Sequence, residues 1–274
     1  MNITEKEFQQ LTGYIREHYG IKLGQEKRAL VLGRLTQILA KQNMPSFTAY
    51  FEHLIADDSG QAVYELLNRI TTNHTYFMRE PAHFTIFEKR VLPWVREMAA
   101  DDRDARIWSA GCSRGQEPYT LAMIMQDFFG HDKMKWSTQI LATDISQQAL
   151  TAASSGVYAA EETEPLPDRW KKMHFHKTGL DQLQVNEALR SQLVIRRFNL
   201  MNQQFPFKKK FHVIFCRNVM IYFDGPTKRD LVKRFHQHLL PGGYLFIGHS
   251  ESLGRENSGF QYVQPAVYRK EQRS

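Results

Sequence analysis

The sequence predicts an α/β fold: a mostly parallel sheet with helices on both faces, preceded by an all-α N-terminal domain. Up to about residue 72, apolar residues recur at helical spacing and no strand-like run occurs. Beyond about residue 100, short β-rich runs alternate with helical runs, which is the pattern of parallel strand–helix units. The period is lost between Ser155 and Asn199, and a loop of that length is uncommon inside a compact domain. We therefore expect a small antiparallel β-subdomain inserted there, at about residues 160–198.

Four amphipathic helices account for the N-terminal domain, residues 1–72. Their apolar positions are Phe8, Leu11, Ile15 and Tyr19; Val31, Leu35, Ile38 and Leu39; Phe47, Tyr50, Phe51, Leu54 and Ile55; and Val63, Leu66, Leu67 and Ile70. The third helix is expected to start at Ser46 as its N-cap, because a serine hydroxyl accepts a free N–H of the first turn. A connecting segment, residues 73–100, follows. Its helix, at about residues 81–98, should bend at Pro93, since proline lacks the helical N–H donor.

The sheet domain is expected over residues 101–274. The predicted strands are, in order, ARIWSAG, TQILATD, FHVIFCR and YLFIGHS. The predicted helices between them are EPYTLAMIMQDFF, SQQALTAAS and PTKRDLVKRFHQHLL. A turn is expected at the PGG run of residues 241–243, and the final run FQYVQPAVYRK predicts an antiparallel hairpin at one edge of the sheet.

The composition excludes several classes of protein. With 274 residues, 42% of them hydrophobic, the chain has ample material for a core and is not globally disordered. Its two cysteines, Cys112 and Cys216, lie far apart, which argues against a disulfide scaffold or a cysteine zinc site and fits a reducing cytoplasm. No apolar run approaches the roughly 20 residues of a membrane span. We expect a cytoplasmic protein without membrane insertion.

The net charge of +7 is unevenly distributed. Residues 13–41 hold six Lys and Arg against two Asp and Glu, and residues 200–240 hold eight against two. Such patches suit an acidic protein partner as well as a phosphate backbone, and ordinary solvated helix faces are the alternative. On the second helix Lys27, Arg34 and Lys41 are spaced by seven, so they share one edge. We interpret these three residues as a candidate substrate-docking strip.

Ligand chemistry is expected at the carboxyl ends of the parallel strands, where open sheets bind their ligands. The first strand ends in SAGCSRGQEP, in which Gly111 and Gly115 permit a tight turn before a helix with free N–H groups. The second strand ends at Asp144, whose carboxylate can accept hydrogen bonds from a ribose diol. The alternative is that Asp144 caps the helix that begins near Ser146.

Glu117 limits the kinds of ligand that the site can bind. It lies in the first turn of the helix that follows the glycine-containing loop. A carboxylate there is badly placed for a pyrophosphate but suits an ammonium group. This favours S-adenosyl-L-methionine, which carries adenosine, a sulfonium and an amino acid but no phosphate. The third strand ends at Arg217 and Asn218, with Tyr222 one helical turn further. Many amino-group methyltransferases have an Asn/Asp-Pro-Pro turn at this point, but Asn218 is not followed directly by proline. An amide or base nitrogen is therefore disfavoured as the methyl acceptor.

Six runs together resemble the CheR family of chemotaxis receptor methyltransferases: TTNHTYFMRE, WSAGCSRGQEPYTLA, ILATDIS, FNLMN, FCRNVMIYF and GGYLFIGHSE. The resemblance covers nearly the whole chain and keeps the family's motif order. It implies a Rossmann-like, S-adenosylmethionine-dependent methyltransferase domain with a small antiparallel β-subdomain insertion, preceded by the all-α domain. No metal is expected.

The resemblance also implies the site residues. Cofactor contacts are expected from Asn73, Thr75, Arg79, Glu117, Asp144, Asn199, Leu200, Arg217 and Asn218. Arg79 and Tyr222 are expected to line the methyl-transfer site as its catalytic residues, with the junction around TTNHTYFMRE closing over the cofactor. One departure is Arg114-Gly115-Gln116, where Thr-Gly-Glu is more usual in the family. Arg114 beside a sulfonium would weaken binding unless it turns outward.

The family resemblance implies methylation of glutamate side chains on chemoreceptor cytoplasmic helices, with glutamate methyl esters and S-adenosyl-L-homocysteine as products. The implied partner is a chemoreceptor cytoplasmic domain, and no nucleic acid is expected. Some members capture a receptor's C-terminal peptide on the inserted subdomain by strand addition. Here that subdomain has only Gly179 in place of a glycine-rich loop, so we expect weak or absent tethering. The alternatives are a methyltransferase acting on RNA or another substrate, which the basic 200–240 block favours, and a non-catalytic adaptor.

Overall fold

The computed structural model describes residues 3–57, 61–70, 75–254 and 259–272. Its α-helices are α1 Glu5–Tyr19, α2 Arg28–Lys41, α3 Phe47–Ala56, α4 Gln61–Ile70, α5 Pro81–Ile86, α6 Leu92–Met98, α7 Gln116–Phe129, α8 Gln147–Ser155, α9 Asp168–His174, α10 Glu187–Arg190 and α11 Gly225–His238. Its strands are β1 Ile107–Ala110, β2 Ile140–Asp144, β3 Val157–Ala159, β4 Phe175–Lys177, β5 Gln182–Val185, β6 Leu193–Arg197, β7 Phe211–Cys216, β8 Leu239–Ile247, β9 Phe260–Gln264 and β10 Val267–Lys270. These elements confirm the predicted fold class.

The helical domain consists of α1 to α4, whose apolar stripes face one another. Ser46 caps α3 through the N–H of Ala49, as the sequence predicts, and Thr4 caps α1 through its side chain. The buried residues of these helices belong to the same core as Trp108 of β1 and Ile214 of β7. The helical domain therefore shares a continuous apolar core with the sheet domain.

Polar contacts add to this packing where the chain leaves α1. The N–H of Lys22 donates to the carbonyl of Tyr222 at 2.8 Å, and Ile21 and Phe223 form an isolated antiparallel bridge. Arg16 and Asp224 form an ion pair at 2.7 Å. The end of α1 thus lies directly against the turn that follows β7.

The connecting helix runs through α5 and α6. A π-helical turn, Phe87–Val91, separates them and comes just before Pro93. The N–H of Leu92 donates to the carbonyl of Phe87, one residue further back than in an α-helix. The helix is therefore irregular just before Pro93, which has no N–H to donate, and the bend at Pro93 stays a prediction.

The main sheet has the order β6-β2-β1-β7-β8-β10-β9. The first five strands are parallel, and β10 is antiparallel to both β8 and β9, which places the predicted hairpin at one edge. The PGG run is not a turn before β8. It lies inside that strand, where the register against β7 shifts between Phe211 and Val213. Gly242 has φ 76°, a conformation that glycine adopts without strain.

The inserted subdomain is a separate antiparallel sheet with the order β3-β5-β4. It begins at Val157 and its last strand ends at Val185. The expected insertion reached to about residue 198, but β6 pairs with β2 and belongs to the main sheet. The reason is that β6 is an edge strand: Arg196 and Arg197 are exposed, so its sequence lacks the apolar run of a buried parallel strand.

Across the described ranges, none of the helices has both the length and the apolar character needed to span a bilayer.

Candidate active site

A cavity of about 400 Å³ lies at the carboxyl ends of β1, β2 and β7, beside the end of α1. This is the switch point of the sheet, since β2 and β7 flank β1 on opposite sides. The volume is in the range of small-molecule sites. The chain segments that supply its walls are residues 19–21, 75–84, 111–117, 144–145, 198–200 and 217–223.

The loop after β1 is fixed by its backbone. The N–H groups of Gly111 and Cys112 both donate to the carbonyl of Thr143, at 2.8 and 2.9 Å. Gly111 has φ 86°, and a Cβ there would lie 2.4 Å from a methyl of Val219. Only glycine fits, because any side chain would both strain the backbone and displace the wall formed by Val219.

Asp144, at the end of β2, connects this loop to the start of α8. One carboxylate oxygen accepts the N–H of Ser113 at 2.8 Å, and the other accepts the N–H of Ser146 at 2.9 Å. The hydroxyl of Ser146 is the N-cap of α8, bonded to the N–H of Ala149. Burial raises the pKa of Asp144, although these backbone donors oppose the shift. A carboxylate offers about four acceptor positions, so the wall residue Asp144 can still bind a ligand.

A buried guanidinium holds two carboxylates on the β7 side of the cavity. Arg217, whose side chain is 2% exposed, lies 3.0 Å from Glu117 and 3.1 Å from Glu80. It also donates to the carbonyl of Arg79 and lies over the ring of Phe84. Burial resists the ionisation of Glu80, but the charge of Arg217 and hydrogen-bond donors lower its pKa below the usual value. The arrangement leaves one excess negative charge among these three groups.

Glu80 was not among the predicted site residues. Its carboxylate accepts from Arg217, from the side-chain amide of Asn218 at 3.3 Å and from the N–H of His249 at 3.3 Å. Its backbone is left-handed, with φ 58°. The sequence signal was only its place beside Arg79 in the TYFMRE run, since a pairing across 137 residues depends on the tertiary fold.

Glu80, His83 and His249 bring one oxygen and two ring nitrogens within 4.8 Å of one another, a spacing that a metal ion accepts. However, the Glu80 oxygen that lies 3.3 Å from His83 also pairs with Arg217. A metal ion there would lie beside a buried cation. The chemistry of the donors therefore favours Glu80 as a partner of Arg217 rather than as a metal ligand.

The structure brings the other predicted site residues to the same cavity. Those lining it are Thr75, Arg79, Glu117, Asp144, Asn199, Leu200, Arg217, Asn218 and Tyr222. Asn73 lies outside the described residues. Asn199 also ties the helical domain to this wall, because its amide donates to the carbonyl of His18 at 2.9 Å. The roles of these residues remain predictions.

Two lining residues come from a part of the chain where none was expected. Tyr19 and Ile21, at the end of α1, contribute to the cavity wall. Tyr19 belongs to the apolar stripe of α1. Its spacing in the sequence is the same whether the side chain packs in the core or lines a cavity, so it could not be predicted. Tyr76 and Ile221 also line the cavity and are 42% and 43% exposed, so they lie at its mouth.

Arg114 turns away from the cavity. Its guanidinium donates to Glu162 of the inserted subdomain at 2.8 Å and 3.3 Å, and it lies 5.9 Å from the ring of Tyr158. The hydroxyl of Tyr158 donates to the carbonyl of Arg114 at 2.6 Å. The inserted subdomain thus supplies the partner for the residue that departs from the family pattern.

The predicted docking strip lies on α2 and at its N-terminal boundary. Arg34 and Lys41 are exposed, Lys27 is half-buried, and Lys41 lies 3.5 Å from Glu65. Lys27 follows Lys22 by five residues, and the N–H of Lys22 bonds to Tyr222. An extended chain of that length spans at most about 17 Å. One end of the strip is therefore close to the cavity.

Comparison with known proteins gives concordant results. Residues 6–71 match the family model described as CheR methyltransferase, all-alpha domain, and residues 73–269 match CheR methyltransferase, SAM binding domain. A chemotaxis protein methyltransferase of Borreliella burgdorferi is 39% identical, over 98% of this chain and 96% of the relative. Chemotaxis protein methyltransferase Cher2 of Pseudomonas putida is 33% identical, over 96% of each chain. Chemotaxis protein methyltransferase 1 of Pseudomonas aeruginosa is 35% identical, also over 96% of each.

Proposed function

This chain belongs to the family of CheR methyltransferases, and on that premise we propose that it methylates glutamate side chains of chemoreceptor cytoplasmic helices. The products are glutamate methyl esters and S-adenosyl-L-homocysteine. Membership of the family and the names of the relatives support S-adenosylmethionine-dependent methylation in chemotaxis. The observation that carries the finer proposal is that Asp144, Arg79 and Tyr222 line one cavity, in which we assign Asp144 to the cofactor wall and Arg79 and Tyr222 to the acceptor wall.

The residues of the cavity fit S-adenosylmethionine. Asp144 has acceptor positions for ribose hydroxyls, and Ile145, Phe198 and Leu200 provide an apolar surface for adenine. Arg217 is committed to two carboxylates and is not available as a phosphate site. The excess negative charge of Glu80, Glu117 and Arg217 suits a ligand with a positive centre. S-adenosylmethionine, when bound, supplies a methyl group activated by its sulfonium.

The methyl acceptor needs little activation by this chain. An exposed glutamate has a pKa of about 4.3, so only about one in 500 is protonated at pH 7. No general base is required, because an ionised carboxylate has no proton to lose. The task of the protein is to hold the acceptor oxygen in line with the methyl group and to exclude water, which corresponds to an effective concentration of about 10⁵ M or more.

Two cavity residues have the chemistry for this task. The Arg79 guanidinium holds the oxygen of the substrate carboxylate that does not react, since a planar cation matches a carboxylate. The Tyr222 hydroxyl donates to the reacting oxygen and orients it. Both side chains line the cavity near Ile221 and Tyr76 at its mouth, where a glutamate on a helix would enter.

The remaining parts of the chain receive roles in the same proposal. Residues 1–72 form the receptor-docking domain, residues 73–100 connect the domains and contribute to the cofactor site, and residues 101–274 form the catalytic domain. The strip of Lys27, Arg34 and Lys41 attracts the acidic surface around methylated glutamates and speeds encounter. Because chemoreceptor methylation sites are cytoplasmic, the protein acts in the cytoplasm.

An RNA substrate is the alternative that the basic 200–240 block favours. Three of its eight basic residues are already engaged: Arg217 is buried with two carboxylates, Lys209 pairs with Asp104 at 2.9 Å, and Arg234 donates to backbone carbonyls. RNA binding requires a continuous basic stripe with stacking aromatics. Because these three residues are engaged within the protein, the case for an RNA substrate is weaker.

The test is incubation of the purified protein with methyl-labelled S-adenosylmethionine and either a purified chemoreceptor cytoplasmic fragment or bulk RNA. We expect label on receptor glutamates, mapped by mass spectrometry and released as methanol by mild base. Label in RNA, or base-stable label on another receptor side chain, would contradict the proposal.

A further inference from the structure

Glu251 is a buried carboxylate that ends the GGYLFIGHSE run, and neither the expected site residues nor the mechanism above gives it a role. It follows the end of β8, and the residue is 8% exposed. Its two carboxylate oxygens accept hydrogen bonds from backbone N–H groups. One oxygen accepts from Gly248 at 2.5 Å and from Asn218 at 3.1 Å, and the other accepts from Ile221 at 2.9 Å. Burial raises the pKa of Glu251, and these backbone donors oppose that shift.

The three donors belong to two segments. Gly248 directly follows β8, whereas Asn218 and Ile221 lie in the turn after β7. The turn needs such support because Asn218 has a left-handed backbone, with φ 58°. The two segments are also in direct contact: a Cβ on Gly248 would lie 2.5 Å from the side-chain amide of Asn218. Glu251 therefore joins the turn to the end of the neighbouring strand.

The turn held in this way carries the acceptor wall of the cavity. Ile221 and Tyr222 line the cavity there, and Ile221 reaches its mouth, while Asn218 in the same turn is an expected cofactor contact. The adenosine wall has its own supports, since Asp144 is bonded to Ser113 and Ser146. Loss of Glu251 should thus disturb the acceptor wall far more than the adenosine wall at Asp144.

We propose that Glu251 is a positioning residue, whose buried carboxylate fixes the turn of residues 218–222 so that Tyr222 and Ile221 meet the methyl acceptor. This inference rests on the proposed function. A charged acceptor bonds to N–H groups more strongly than a neutral one does, and it bonds to all three at once. In Glu251→Gln, the size is kept, but the amide NH₂ group opposes at least one backbone donor.

The first experiment measures receptor methylation and, by calorimetry, the affinity for S-adenosylhomocysteine. A misplacement of about 1 Å can slow catalysis by about 100-fold. In Glu251→Gln and Glu251→Asp, we expect the fold-decrease in kcat to be at least ten times the fold-decrease in affinity for S-adenosylhomocysteine. Ser252→Ala, at the exposed neighbouring position, is the matched control and should keep both values. Equal losses, or unchanged kcat in a folded variant, would overturn the proposal.

The second experiment needs no receptor and separates this inference from the function. Amide hydrogen exchange, read by mass spectrometry, should accelerate in the peptide covering residues 217–223 of Glu251→Gln, while the peptide covering residues 109–117 stays protected. Unchanged exchange at residues 217–223 would overturn the positioning role, whatever the substrate. If the wild-type chain methylates no receptor but this exchange difference is present, the proposed function fails and the role of Glu251 in holding the turn stands.

Discussion

Asp144 accepts one backbone N–H on each carboxylate oxygen, and the cap of α8 considered for it from the sequence is Ser146 instead. It supports the start of α8 through Ser146, and it also faces the cavity. The position could be predicted because an acidic residue at the end of a buried strand is visible in the sequence. The bond to Ser113 could not, because it requires the loop after β1 to fold back across the end of β2.

We expect Asp144→Asn to weaken S-adenosylhomocysteine binding by about 10- to 100-fold, because hydrogen bonds to a charged group contribute about 1.5–3 kcal/mol. Titration calorimetry measures the affinity, and Asp101→Asn at an exposed position is the control. An affinity within twofold of wild type in a folded Asp144→Asn variant would rule out this contact.

Glu80 illustrates what the sequence hides at the scale of single residues. Its neighbours Arg79 and Tyr76 come from a motif that could be recognised, yet its own partner Arg217 lies 137 residues away. Its left-handed backbone is also invisible, since residues other than glycine rarely adopt positive φ. Long-range ion pairs of this kind are fixed by the packing of α5 against the sheet.

At the scale of elements, the strands with apolar runs were predictable and the edge strand was not. β7 is buried along its whole length, so its sequence identifies it as a central strand. β6 is buried at Leu193 and exposed at Arg197, and its polar pattern resembled the inserted subdomain. The π-helical turn before Pro93 likewise shows only as a proline in the sequence.

The inserted subdomain is joined to the loop after β1 by the ion pair of Arg114 and Glu162. We expect Glu162→Gln to free the Arg114 charge and to weaken S-adenosylmethionine binding relative to the uncharged S-adenosylhomocysteine by about three- to tenfold at low salt. Calorimetry with both ligands gives the ratio.

Replacing Arg114 by Gln in the same Glu162→Gln chain removes the released charge and should restore the ratio. A ratio that stays at its wild-type value in the single variant would show that Arg114 exerts no electrostatic effect on the sulfonium site.

The docking strip on α2 makes a prediction about ionic strength. We expect kcat/KM for receptor methylation to fall by about tenfold between 50 and 300 mM salt, because screening shortens the reach of exposed charges. The triple variant Lys27→Glu, Arg34→Glu and Lys41→Glu should lose both the low-salt activity and its salt dependence.

The matched control changes three exposed basic residues elsewhere: Lys89→Glu, Arg90→Glu and Lys135→Glu. It alters the net charge by the same amount and should keep most of the activity. If both triple variants behave alike, net charge rather than docking on α2 controls the encounter.

At the scale of the whole molecule, buried histidines set a pH dependence of stability. His212 is 1% exposed, and its Nδ1 accepts the N–H of Arg106 at 3.1 Å. Burial, aided by the charge of Arg106, lowers the pKa of His212 to about 4, against about 6.5 for a free histidine. Because the unfolded chain binds the proton more readily, stability is intact at pH 7 and falls as the pH drops below about 6.5.

We expect His212 to account for about 2 kcal/mol of the free energy of unfolding lost between pH 7 and pH 5. His212→Asn keeps an acceptor near the position of Nδ1 but does not titrate. Urea unfolding at both pH values should therefore show a smaller loss in this variant by that amount. An equal loss in both proteins would mean that His212 stays neutral in the unfolded chain as well, or that it protonates freely in the native one.

The two-domain organisation was predictable because the hydrophobic period changes once along the chain, from helical spacing to alternating strands and helices. The close packing of the two domains could not be predicted from the sequence. It depends on the contact of Lys22 with Tyr222 and of Asn199 with His18, which join segments about 200 residues apart. The candidate site exists only where these domains meet, since Tyr19 and Asp144 line the same cavity.

The most direct test of the account is a crystal structure of the protein with S-adenosylhomocysteine. We predict the ribose hydroxyls on Asp144, the amino-acid end beside Glu117, and the sulfur facing Arg79 and Tyr222. A cavity without ligand density at saturating concentration, or a ligand whose sulfur points away from Arg79, would contradict the account.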